Sequence, residues 1–214
     1  MCNAYRLITP LSQVFDVFSE IRLPVRIADP QRLPNAPYEM VRPTQVVPIL
    51  RPVDPTGPDQ GVELALLRWG LIPGFHRGGV KDWKFLCTNA RSETVATTRS
   101  YRDAYRARRC LVPADGFFEW TGEKGAKTKW LFTRADAALF CFAGLWERWA
   151  GPEGELQSFT LLTTAPGPDA LPYHDRQPVL LARDAWRRWL DLAADPSGLL
   201  HADGAGSIAV RRAD

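Results

Sequence analysis

The sequence predicts one α+β domain over residues 1–214, with a mostly antiparallel sheet curling toward a barrel-like core and helices flanking it. Three observations carry this expectation. From Cys110 onward, short apolar runs follow one another, separated by Gly, Asp and Lys, in the rhythm of antiparallel strands. Helical periodicity is confined to short stretches near residues 11–18, 99–109 and 184–190. With 45% hydrophobic and 24% charged residues in 214, the chain has a globular composition and enough length to bury an ordinary core.

Thr9-Pro10 followed by Leu11, Val14, Phe15 and Phe18 reads as a helix with Thr9 at the N-cap and Pro10 at N1. The proline-rich stretch to about residue 61 reads as extended loop around one short strand, Gln45 to Leu50. Val62 to Leu71 is a strand that turns at Gly70 and Pro73. Arg99 to Arg109 reads as a helix with Tyr101, Ala104, Tyr105 and Arg108 on one side and a stripe of Arg99, Arg102, Arg106 and Arg109 on the other. That stripe suits a solvated face better than a nucleic-acid track. Strands then follow at Cys110 to Pro113, Phe117 to Thr121, Lys129 to Thr133, Leu139 to Leu145 and Ser158 to Thr164. Asp184 caps a helix that turns Trp186, Trp189 and Leu190 inward, and Ile208 to Val210 supplies a closing strand.

Composition narrows the function classes. No apolar run reaches membrane-spanning length, and the N-terminus lacks a signal-peptide layout, so a cytosolic protein with no membrane partner is expected. Four dispersed cysteines with no C-x-x-C pair argue against a zinc site or a disulfide framework, and Cys110 and Cys141 read as core residues. A net charge of +3 permits an anionic partner without demanding one. Arg outnumbers Lys about four to one, which suits bidentate phosphate recognition, although a GC-rich genome gives the same bias.

Cys2 follows Met1 directly, so loss of one residue would leave a free α-amine and a thiol on the same residue. Their ordinary pKa values, about 7.7–8.0 and about 8.5, leave a useful fraction of each nucleophilic near neutrality. An aldehyde suits both: the amine condenses to a Schiff base and the thiol closes a thiazolidine ring intramolecularly. Position 2 also often carries a small residue for no chemical reason.

Three further segments set polar groups among apolar ones. Glu119, between Phe118 and Trp120, is either a desolvated general acid/base or a residue on the solvent face of an alternating strand. Asn89 and Arg91 either reach toward one ligand or belong to a helix capped by Asn89. His174, with Asp175 and Arg176, sits in a turn just before an apolar strand, in a chain with only three histidines.

Taken together, Met1-Cys2, Arg68-Trp69-Gly70-Leu71-Ile72-Pro73, Asn89-Ala90-Arg91-Ser92-Glu93, the run from Arg109 through Asp115-Gly116-Phe117-Phe118-Glu119-Trp120, Phe142-Ala143-Gly144-Leu145-Trp146 and His174-Asp175-Arg176 resemble the SOS response-associated peptidase (SRAP) family, in order along almost the whole chain. The resemblance implies a sensor of abasic sites in single-stranded DNA that crosslinks itself to the lesion through Cys2 after Met1 is removed. It implies that Asn89 holds the terminus and the sugar oxygen, Glu119 acts as acid/base and His174 assists ring opening. Arg91 and Arg176 would bind phosphates, Thr163 and Pro43 would add DNA contacts, and Trp69 and Trp120 would stack on or wedge against bases. No metal or organic cofactor is implied, and a monomer in the bacterial cytosol, on the nucleoid when DNA is damaged, is expected.

The chain departs from the family pattern at Asn3-Ala4, where Gly-Arg is usual, at Arg42 before Pro43-Thr44, and at Gln177, where methionine is common. Arg6 is the candidate to replace the missing arginine. Two other functions fit the residues: a thiol peptidase whose main target is its own Met1-Cys2 bond, and a noncatalytic single-strand-binding module.

Overall fold

The computed structural model describes residues 2–32, 37–54 and 57–213. In chain order the elements are β1 (Tyr5–Leu7), α1 (Leu11–Glu20), β2 (Val25–Ile27), β3 (Tyr38–Val41), β4 (Val46–Asp54), β5 (Gly57–Trp69), β6 (Asn89–Arg91), α2 (Arg102–Ala107) and β7 (Arg109–Ala114). They continue with β8 (Gly116–Thr121), β9 (Thr128–Arg134), β10 (Phe140–Gly151), β11 (Gly154–Thr164), β12 (Gln177–Pro178), β13 (Leu180–Leu181), α3 (Trp186–Leu190) and β14 (Ile208–Arg212). Strands β11, β10, β7, β4 and β5 are neighbours in that order, and β5 returns to β11 through the parallel pairs Ser158↔Arg68 and Phe159↔Trp69. The result is the expected α+β class with a five-stranded barrel core. A second sheet, β14-β9-β8-β1-β3, lies against it.

Period-two alternation divides the barrel strands into two faces. Ile49, Leu67, Cys110, Val112, Phe142, Phe159 and Leu161 share one core with Tyr5, Phe117 and Phe132 of the second sheet. The opposite faces, through Leu50, Leu111, Cys141, Ala143 and Leu162, meet the helices. There Phe18 of α1 stacks on Trp186 of α3 with centroids 4.5 Å apart. Each buried indole keeps a partner for its N–H: Trp186 donates to Leu181 O at 2.9 Å and Trp189 to Cys110 O at 2.8 Å. Gly144 is required inside the barrel, because a Cβ there would stand 2.8 Å from Cys110 Sγ.

Local expectations fail where tertiary contacts outbid them. Thr9 does not cap α1: its hydroxyl donates to Asp115 Oδ1 at 2.5 Å, Thr9 N donates to Asp115 Oδ2 at 2.8 Å, and Pro10 takes the N-cap position without a side-chain bond. The segment before residue 61 holds β2, β3 and β4 rather than one short strand, and β5 starts earlier, at Gly57, because pairing with β4 extends it; residues 33–36 and 55–56 of this stretch lie outside the described residues. The helix expected over residues 99–109 shrinks to α2. Arg99 is drawn over the Phe75 ring, and Arg109 begins β7, where its guanidinium is buried against Asp191 O, Ala194 O and the Trp189 ring. Arg109 therefore leaves the stripe. Ala185, not Asp184, occupies the N-cap of α3, which does bury Trp186, Trp189 and Leu190.

Candidate active site

The second sheet brings the start of the chain into the core. Strand β1 pairs with β8 through Tyr5↔Phe117, and the ladder extends to Phe118 N donating to Ala4 O at 2.9 Å, so Cys2 arrives beside the middle of β8. Met1 lies outside the described residues. Cys2 is completely buried, its thiol donating to Ala4 O at 3.5 Å. Burial foremost, and then the charge of Glu119, push its pKa well above the ordinary thiol value.

Asn89 opens β6, which runs parallel to β11 in the pair Leu161↔Asn89, so it is a strand residue and not a helix cap. Its Nδ2 donates to Cys2 O at 2.8 Å and to Thr88 Oγ1 at 3.1 Å, leaving Oδ1 buried with no protein partner. The amide thus fixes the terminal backbone while keeping one acceptor in reserve.

Glu119 resolves to the interior. It is only 5% exposed, while its neighbours Phe118 and Trp120 point to the other side of β8 and pack with Ala4 and Leu131. Burial above all, with a contribution from the Asp175 charge, raises its carboxyl pKa to about 7. His174 sits in the turn between β11 and β12. Tyr173 anchors that turn by edge contacts to Trp130 at 4.9 Å and Phe132 at 5.4 Å. The His174 Nδ1 accepts from Arg176 N at 3.0 Å and stands 2.7 Å from Asp175 Oδ1. The first contact belongs to the neutral ring with its proton on Nε2, the second to a ring with a proton on Nδ1, either the other neutral tautomer or the protonated ring. Partial burial lowers the His174 pKa, favouring the neutral form.

Cys2, Asn89 and Glu119 therefore converge, and Asp175 links the His174 turn to Glu119 electrostatically. The other sequence candidates divide. Arg91 is exposed at the end of β6, and Pro43 is half-buried beside Thr44, whose backbone adopts φ 74° and donates to Trp69 O. Arg176 is mostly buried and held by Glu93 and Thr163. Trp69 cannot stack on a base in this structure: it has no exposed surface, donates to Thr88 O at 3.0 Å and is sandwiched by Tyr5 and Phe159. Thr163 is likewise fully buried, so it meets Arg176 rather than solvent. Trp120 is half-buried on the outer side of β8, away from Glu119. Arg6 projects into an outer groove with Met40, Phe118 and Lys129, on the opposite side of β1 from Tyr5 and on the same side as Ala4, which packs on Phe118.

Residues that sequence reasoning passed over flank the site. Phe85 and Leu86 are 69% and 58% exposed just before β6, and Leu171 is 63% exposed just before His174. Their one signal in the sequence was an apolar residue in a loop, which is too common to single out. Gln177, fully buried, accepts from Gly167 N at 2.8 Å and so clamps the ends of the His174 turn.

No helix among the described residues is long and apolar enough to cross a membrane. The chain resembles solved structures of a Bacteroides thetaiotaomicron protein (TM-score 0.81, 22% identity, 99% of this chain and 91% of that one) and a Bordetella bronchiseptica protein (TM-score 0.78, 25% identity, 100% of both). It is 38% identical over 130 residues to the abasic site processing protein YoaM of Bacillus subtilis, covering 60% of this chain and 56% of that one. It is 31% identical over 133 residues to the abasic site processing protein YedK of Escherichia coli, covering 62% and 57%. The matched region thus spans just over half the length of these curated relatives. The pattern defining the SOS response associated peptidase (SRAP) family matches residues 1–206, and the chain belongs to that family.

Proposed function

We propose that this protein senses abasic sites in single-stranded DNA and crosslinks itself to them through Cys2 once Met1 is removed. The observation that carries the reading is the convergence on Cys2 of Asn89, by a 2.8 Å hydrogen bond to its carbonyl, and Glu119, through its charge. Relatives named abasic site processing proteins support it.

In the reaction, the Cys2 amine adds to the C1′ aldehyde of the opened deoxyribose, and the carbinolamine loses water to give an imine. The thiol sulfur then adds to the imine carbon while its proton passes to nitrogen, closing a thiazolidine; one water is released overall. Because the buried thiol keeps its proton at neutral pH, the amine attacks first and the sulfur needs a base. Glu119, with a pKa of about 7, can protonate the departing hydroxyl and then accept the thiol proton. Neutral His174 assists ring opening, and Asn89 orients the terminus. Arg91, Arg176, Pro43 and the half-exposed Trp120 contact the strand as the protein acts, as a monomer, in the cytosol. The same acid/base pair suits removal of Met1 by the protein itself. Retention of Met1 in purified Glu119→Ala protein is the outcome expected for self-processing.

Intact mass spectrometry with an oligonucleotide carrying one abasic site tests the proposal. Loss of Met1 and a DNA adduct mapping to Cys2, absent in Cys2→Ala, are expected. A processed Cys2 that forms no adduct would overturn it.

A further inference from the structure

The Arg176 guanidinium offers five N–H donors, and phosphate recognition by Arg uses two adjacent ones along a single edge. In this structure both usable edges are taken. Nη1 donates to Glu93 Oε1 at 2.6 Å and Nη2 to Glu93 Oε2 at 2.9 Å, which fills the end-on edge with a carboxylate fork. Nη2 also donates to Thr163 O at 2.7 Å and approaches Thr163 Oγ1 at 3.2 Å, while Nε is buried with no partner, which closes the side-on edge. The Glu93 side chain is 49% exposed, against 13% for Arg176, so the acid lies on the solvent side of the pair. Strand β6 sets Glu93 there: Ser92 N donates to Thr163 O at 2.8 Å, directly beside the Arg176 contact. A carboxylate gripping an arginine end-on has the geometry and charge sign of a phosphate's two oxygens.

We infer that Glu93 is a built-in competitor for the phosphate seat at Arg176 and thereby weakens the hold of this protein on undamaged single strands. The inference rests on the DNA-binding reading above and deepens it. A strand reaching Arg176 meets a neutral pair, and seating its phosphate means expelling a carboxylate that then lies close to the backbone charge. An undamaged strand bears that cost at equilibrium and dissociates. A strand with an aldehyde is retained by a covalent bond, for which the cost matters only during approach. Glu93 therefore favours the lesion by shortening the residence of everything else.

The test is equilibrium binding of an undamaged single-stranded oligonucleotide to the full-length chain over a range of salt concentrations, comparing wild type, Glu93→Gln, Arg176→Gln and the double variant. Glu93→Gln is expected to bind about 1.4- to fivefold tighter, the range of a solvent-facing ion pair of about 0.2–1 kcal/mol. Its log K against log salt should steepen by about 0.7, the signature of one more phosphate contact on a single strand. In the Arg176→Gln background the gain should vanish. Unchanged or weaker binding by Glu93→Gln, an unchanged salt slope, or the same gain without Arg176 would each overturn the inference. Adduct formation by wild type on an abasic strand is read in the same series. Its absence alongside a tighter Glu93→Gln would sink the crosslinking proposal and leave the competitor role standing.

Discussion

The two ends of the barrel face charged side chains that are held in opposite ways. At the Trp69 end, Glu119 is desolvated and further opposed by the Asp175 charge, and its pKa moves to about 7. At the other end, five residues along β4 from Val46, Arg51 donates to Glu63 at 2.6 Å and Gln157 at 2.8 Å and lies 4.1 Å over the Trp146 ring. A buried charge surrounded by acceptors and an aromatic face is a brace. One whose largest influence is desolvation is a proton store close to neutrality. The fold is common to both, and the neighbouring side chains make the difference.

The sharpest way to break the contrast is to remove the proton store. Glu119→Gln should slow crosslinking about 10²–10⁴-fold, the range for a general acid/base, and erase an inflection near pH 7 in the rate profile of single-turnover adduct formation. The same variant changes stability in a calculable direction. Because the folded pKa of about 7 exceeds the ordinary 4.5, the native state holds a proton that the unfolded state has lost. Wild-type stability is therefore full below about pH 4.5 and falls as pH rises to 7, by about 3 kcal/mol at 1.36 kcal/mol per pKa unit. Urea denaturation at pH 5 and pH 8 should show that loss in wild type and not in Glu119→Gln.

Asn89→Ala should slow adduct formation about 10–100-fold, the kinetic equivalent of about 1–3 kcal/mol for one hydrogen bond to a buried group. Single-turnover assays at saturating DNA measure it, and an unchanged rate would detach Asn89 from the chemistry. At the braced end, Glu63→Ala should cost about 1–3 kcal/mol in urea denaturation and leave the adduct yield on abasic DNA intact, since Arg51 there loses its counter-ion but touches no reacting group. Thr163→Val should have the smallest effect. The Thr163 hydroxyl meets Arg176 only at 3.2 Å while the backbone oxygen does so at 2.7 Å, so DNA affinity measured by titration should shift by less than about threefold.

The strands after Cys110 were legible because alternation and turn residues agree with their tertiary use, as at β7, β8 and β9. Strands β2 and β3 were not. Each is a short segment beside prolines, and its ladder partner lies far away, in β5 for β2 and in β1 for β3. Thr9 carried the right capping chemistry and spent it on Asp115, a residue more than a hundred positions away. Within the candidate site, Cys2, Asn89, Glu119 and His174 stand out by motif and residue type, and the structure brings the first three together. Alternation along β8 left the direction of Glu119 open, and only pairing with β1 and β9 settled it. Trp69 shows the converse failure: the family resemblance implies a stacking platform, but nothing local reveals that Tyr5 and Phe159 already pack against it. The Glu93 fork was invisible for the same reason, since Arg176 lies 83 positions from it.

The four residues at the site are scattered across the chain, and that scatter has a consequence in time. At a synthesis rate of about 5–20 residues per second, some 172 residues separate the appearance of Cys2 from that of His174, about 9–34 s. Over that interval the companions of Cys2 are made one by one, Asn89 after 87 further residues, Glu119 after 117 and His174 last, and β8, the strand that draws Cys2 into the core, lies just past the middle of the chain. On the proposed reading, a growing chain carries Cys2 before the groups that would serve it, and capture of an aldehyde would wait until the His174 turn is made.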